Sequence, residues 1–233
     1  MTETLPGSDR ALVRVSAWLA AAGAAADHDE LRVALRDAAT VAEPRAVEEA
    51  LLQSYLFLGY PCALNAFRLW RAVAPGGEGQ QAEGKRAEHS GAEGSGASVG
   101  AAAPADWSGW TERGEAVCRT VYGGQYEGLR GNVRALHPDM EQWMVTEGYG
   151  KVLGRPGLDL ATRELCVVAL LAVAVAPAQL YSHLRGALNA GASPEAVEEA
   201  LAIAARASSD EAVTLARETW RRVRRRPSEE GVG

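Results

Sequence analysis

The sequence predicts an all-α chain, a helical bundle built in duplicate. Three observations carry that reading. The apolar fraction is 47%, with alanine dominant, many Leu and Val and only two Phe, which favours packed helices over a sheet. Each apolar segment is bounded by a proline or a glycine, where helices begin or stop. The order of motifs also recurs between the two halves.

In chain order, an Ala-rich segment at Ala11–Ala26 is followed by a second helix at about Asp29–Ala39. Pro44 opens a third, AVEEALLQSYLFLGY, which Gly59-Tyr60-Pro61 breaks, and a fourth runs from Cys62 to Val73. From Pro75 to about Ala105 the composition turns to Gly, Ala, Ser and Glu with no apolar period; it reads as a flexible linker, with His89 solvated inside it. Trp107 and Trp110 precede helices near Glu112–Tyr122 and Pro138–Leu153, and the turn Gly154-Arg155-Pro156-Gly157 follows. An almost wholly apolar run, Leu165–Ala176, is joined at Pro177 to a helix ending at Gly191. Ser193 is placed to cap a helix with Pro194 at its first position, and a last helix spans about Asp210–Arg225. The organisation expected is a shortened repeat over 1–74, a linker over 75–106, a full domain over 107–226 and a tail over 227–233.

The repeat is read from PEAVEEAL at 194–201 against PRAVEEAL at 44–51, 150 positions apart, a register that also aligns Trp220 with Trp70. Upstream, a spacing of 153 aligns Arg163 with Arg10, Leu184 with Leu31, Arg185 with Arg32 and Leu188 with Leu35. In the same register Glu164 corresponds to Ala11 and His183 to Glu30, so the first copy carries no equivalent acid and base. It reads as scaffold, completing a core or interface for an active second copy.

A net charge of −6 argues against a nucleic-acid partner, whose footprint is a basic face. The arginines from Arg221 to Arg226 sit at a helix C-terminus, where the dipole favours cations, and read as a solvated end. Cys62, Cys118 and Cys166 are widely spaced with no CxxC, which suits a reducing cytoplasm. The N-terminus is polar and acidic, unlike a signal peptide, and the longest apolar run is shorter than the roughly 20 residues a bilayer span needs. A soluble, cytoplasmic protein without a membrane partner is expected.

Glu164 near the start of the apolar run and His183 in the next helix are the candidate chemistry. A hairpin of buried helices brings such residues together, and a Glu beside a His is a proton-transfer pair because each tunes the other's pKa. The plainer alternative is a Glu favoured by a helix N-terminus and a His satisfied in the core.

GYGKVLGRPGLDLATREL at 148–165 and SHLRGALNAGASPEAVEEAL at 182–201 resemble the carboxymuconolactone decarboxylase family, over roughly Glu112 to Val223. AVEEALLQSYLFLGYPCALNAF in the first half resembles the last helices of the same family. The resemblance implies the all-helical alkylhydroperoxidase D-like fold, a small-molecule substrate, a homo-oligomer (trimer or hexamer), and one of two chemistries. One is decarboxylation of 4-carboxymuconolactone in protocatechuate breakdown, with neither cofactor nor metal. The other is peroxide reduction through E-x11-C-x2-C-x3-H. Glu164 and His183 stand at that motif's spacing, but Ala176 and Gln179 occupy its cysteine positions, and the thiol chemistry needs both thiols. Cys166 reads as a buried structural thiol.

On the decarboxylase reading His183 donates a proton and Glu164 orients it and raises its pKa. Gln179, one helical turn earlier, and Tyr149 contribute to substrate binding, with Tyr181 as a further lining candidate. Arg155 is the expected anchor of a substrate carboxylate through its bidentate fork. Arg163 and Arg185, having counterparts in Arg10 and Arg32, read as structural. A non-catalytic assembly protein that keeps the fold is the other class of function.

Overall fold

In the computed structural model, residues 4–74 and 106–225 are described. The linker expected from Pro75, with His89, and the tail from Pro227 lie outside them. α1 (Gly7–Ala22) begins four residues earlier than Ala11 and buries Leu12, Val13, Val15, Leu19 and Ala22. α2 (Asp29–Val41) is opened by His28, whose Nδ1 accepts the Leu31 amide at 3.3 Å. Its buried Leu31, Ala34, Leu35 and Ala38 form one stripe at helical spacing. α3 (Pro44–Gln53) starts on proline, and α4 (Tyr55–Val73) is kinked at Gly59. Gly59 holds φ 79° and ψ 169°, a conformation essentially reserved for glycine, and Pro61 follows it.

The later half opens with α5 (Trp107–Tyr122), capped by Asp106, and a tight turn leads to α6 (Tyr126–Leu136). α7 (Pro138–Trp143) runs on into a wide π-type helix over Met144–Leu153, instead of continuing as one α-helix to Leu153. α8 (Leu160–Val173), capped by Asp159, is buried at every residue from Thr162 to Ala172. It stops at Val173 instead of reaching Ala176. The turn carries Val175 at φ 55°, and Pro177 opens α9 (Pro177–Asn189). α10 (Pro194–Ala204) is capped by Ser193 as expected, and α11 spans Asp210–Arg225.

α8 is the centre of the bundle, packed against α1, α9, α10 and α11, while α1 packs in turn on α2 and α10. No described helix is long and apolar enough to cross a membrane, and the described residues contain no strand.

The seam between the halves is closed by polar groups that the two registers relate. Arg10 Nε bonds Glu199 Oε1 at 2.8 Å, and Arg163 Nη2 bonds Glu49 Oε2 at 2.9 Å. Arg10 donates to the Leu5 carbonyl and Arg163 to the Leu158 carbonyl; Thr162 Oγ1 donates to Asp9 across the seam at 3.3 Å. Arg10/Arg163, Leu5/Leu158 and Asp9/Thr162 are each 153 positions apart, and Glu49/Glu199 are 150 apart. Trp70 Nε1 donates to Glu48, and Trp220 Nε1, 150 positions on, donates to Glu198.

Burial raises the pKa of Glu49 and Glu199, but the arginines bonded to them outweigh it and hold both carboxyls below their ordinary value of 4.5. A carboxyl whose folded pKa is lowered contributes stability in full above its unfolded value and loses it as pH falls through the folded one. The thermal midpoint is therefore expected to be flat around neutral pH and to fall below about pH 4.5. Calorimetric melts across that range check this, and the fall should flatten in Glu49→Gln/Glu199→Gln.

Candidate functional site

The α8–α9 hairpin brings the acid and the base together. Glu164 sits in the second turn of α8 with no exposed surface, and His183 lies on α9 with 5% exposed. Glu164 Oε2 is 2.7 Å from His183 Nδ1. The approach depends on a small residue one turn past the histidine. A Cβ added at Gly186 would stand 2.8 Å from Glu164 Oε2 and 2.6 Å from Val121 Cγ1. With a larger side chain there, α5, α8 and α9 could not close on the carboxylate.

The other carboxylate oxygen is left open. Glu164 Oε1 is buried without a hydrogen-bond partner, a state that costs about 1–3 kcal/mol. Unsatisfied buried acceptors are rare in folded proteins, and a ligand or substrate proton donor is one way to satisfy this one.

The surroundings are weak acids kept neutral. Tyr149 donates to the Tyr122 hydroxyl at 2.8 Å, with the rings 5.8 Å apart and nearly perpendicular. Burial first, and the nearby Glu164 charge among the lesser causes, push both phenols well above their ordinary range. The same two influences contribute to raising the Cys118 thiol to about 12. Cys166 on α8 is likewise pushed to about 12 by burial, against a hydrogen bond from Ser16 that lowers it. Neither thiol supplies thiolate at neutral pH. Among the described residues no group of His, Cys, Asp and Glu is placed to hold a metal.

The first half also reaches the site. Phe57 on α4 meets the His183 imidazole edge-to-face, with ring centroids 5.4 Å apart at 82°. No spacing rule points to it, since it lies 126 residues upstream (57 to 183). Tyr122 and Cys118 were equally inconspicuous, being ordinary core positions of α5.

Of the residues proposed from sequence, Glu164 and His183 are joined directly, and Tyr149 is buried in the tyrosine pair beside them. Gln179 stands exposed in the first turn of α9, without a hydrogen bond among the described residues. Arg155 is tied to the first half of the chain. Its Nε/Nη2 edge is engaged by Glu49 of α3, with Nε 3.1 Å from both oxygens and Nη2 3.0 Å from Oε1, while the side chain as a whole stays 42% exposed. Arg163 is structural as expected, fully buried and bonded to Glu49, Gln53 and two carbonyls.

Residues 138–221, from α7 through most of α11 and including both Glu164 and His183, match the model of the carboxymuconolactone decarboxylase family. No curated protein matches the chain.

Proposed function

We propose, from the premise that residues 138–221 form a carboxymuconolactone decarboxylase family domain, that Glu164 and His183 carry out a cofactor-free decarboxylation of a small carboxylated lactone or enol. The observation that carries this reading is the buried 2.7 Å pair with one carboxylate oxygen left open. In the step envisaged, the bond between the substrate carbon and its carboxylate breaks, CO2 leaves, and the electron pair passes into the substrate's own conjugated carbonyl. His183, as imidazolium paired with the Glu164 carboxylate, delivers a proton from Nε2 to the carbanion, and solvent restores it afterwards. Glu164 fixes the ring by accepting from Nδ1–H, which leaves Nε2 facing the substrate. The enclosure by Phe57 and the tyrosine pair limits water around the developing charge.

Thiol-dependent peroxide reduction is the weaker reading, because both thiols on these helices are protonated at neutral pH. The test is to incubate the purified chain with 4-carboxymuconolactone and, separately, with an organic hydroperoxide and a dithiol. Release of CO2 from the lactone with no thiol-sensitive consumption of peroxide is the expected result. An inert lactone, or peroxide turnover abolished by alkylating the cysteines, would overturn the proposal.

The first half is read as a shortened copy of the same unit. The paired seam contacts in matching registers support this, as does the loss of the acid and base at Ala11 and Glu30. What that copy retains is a supporting face: Glu49 for Arg163 and Phe57 for His183.

A further inference from the structure

Arg185 sits two residues beyond His183 and was grouped with Arg163 because each has a counterpart in the first half. The structure separates the two. Arg32, the counterpart of Arg185, forms an ion pair with Asp27 five residues before it. The position five before Arg185 is Leu180, which is buried and apolar. Half-buried Arg185 accordingly has no hydrogen-bond or ion-pair partner among the described residues.

Its surroundings form a container. Arg185 lines a cavity of about 280 Å³ between α9, the end of α5 and α6, together with Val121, Tyr122, Asn132, Tyr181 and Ser182. That volume suits a small organic molecule and little more. Tyr181 carries a second signal, because its hydroxyl is buried without a hydrogen-bond partner. The Tyr181 ring is itself held by the Arg222 guanidinium, 4.6 Å from its centroid, which lies outside the cavity lining. An unpaired planar fork and an unsatisfied hydroxyl beside apolar and aromatic walls fit a flat anion with a carbon skeleton.

We propose that this cavity binds the carboxylate of a small organic acid, with Arg185 as its bidentate anchor, Tyr181 as a supporting hydroxyl and Val121 against the carbon skeleton. The inference concerns binding and does not depend on turnover at His183. The cavity nonetheless neighbours the acid–base pair, since Val121 and Glu164 both close on Gly186.

Calorimetric titration of the full chain at neutral pH with furan-2-carboxylate tests it, with furan-2-carboxamide and inorganic phosphate as comparisons. The acid is expected to bind, and the amide to bind about 10–100-fold more weakly. Arg185→Gln should lose the acid by a similar factor, and Arg185→Lys, with the charge but not the fork, should fall between. Arg32→Gln should leave affinity unchanged. Because Arg185 has no protein partner, its variants should melt as the wild type does. Absence of binding by the acid, equal affinity for acid and amide, phosphate binding more tightly than the acid, or undiminished affinity in Arg185→Gln would each overturn the proposal.

Discussion

Glu49→Ala is expected to destabilise the fold by about 3–5 kcal/mol, the range seen when one partner of a buried ion pair is removed. Arg163 has no exposed surface, and its guanidinium is neutralised by Glu49 at 2.9 Å. The groups left to it are the Gln53 side-chain oxygen and the carbonyls of Leu158 and Arg155. Those are dipoles, and dipoles do not compensate a desolvated cation as a carboxylate does. The same substitution releases Arg155, whose fork rests wholly on Glu49. The related seam on the other side should be less costly: Glu199→Ala removes one partner of Arg10, whose side chain also bonds the Leu5 carbonyl, is already 28% exposed and can turn to water. Denaturant titrations measure both, with the loss read as a lower midpoint at unchanged slope. A loss below about 1 kcal/mol for Glu49→Ala, within the range of exposed pairs, would show that the seam does not depend on this ion pair.

That pair also marks the boundary of what the sequence discloses. Helical class and most boundaries were legible because they depend on local chemistry: Pro at the first position, Ser or Asp as cap, apolar residues at helical spacing. α11 and the Ser193 cap stand where those signals put them. α6 went unread although Tyr126, Leu129, Val133 and Leu136 stand at helical spacing: no capping side chain or proline marks its start, and of that stripe Tyr126 alone is buried. The wide turns of Met144–Leu153 leave no mark in the pattern either. Long-range pairing is the larger gap. Arg155 was read as free because Glu49, 106 residues away, could not be seen to hold it. Arg185 reads as structural in the sequence because Arg32 is its counterpart; that Arg32 pairs with Asp27, where Arg185 has Leu180 at the same offset, emerges only with the side chains placed. Glu164 and His183 were legible because a lone acid and a lone imidazole in an apolar hairpin have few other partners.

Glu164→Gln is expected to reduce turnover of the lactone by about 10²–10⁴-fold, the range that positioned proton transfer contributes. Glutamine keeps the shape of the side chain and removes the carboxylate that accepts from Nδ1–H. Its amide nitrogen can also face Nδ1 as a donor, which would keep Nδ1 unprotonated and the ring neutral, with Nε2–H a far weaker acid than an imidazolium. His183→Gln should fall by a similar factor, and the two losses should not add, because both residues serve one transfer. Stability distinguishes this from a packing defect. Glu164 is a fully buried carboxylate with one oxygen unpartnered, so it strains the fold it sits in. Neutralising it is expected to leave the denaturation midpoint unchanged or to raise it while activity falls, the opposition found where a site is kept at the expense of stability. A purely structural pair predicts the reverse: Glu164→Gln would lower the midpoint, and activity would fall only in proportion to the fraction unfolded. Kinetics and melts on the same preparation decide between them, and full turnover in a well-folded Glu164→Gln would remove the acid–base pair from the chemistry.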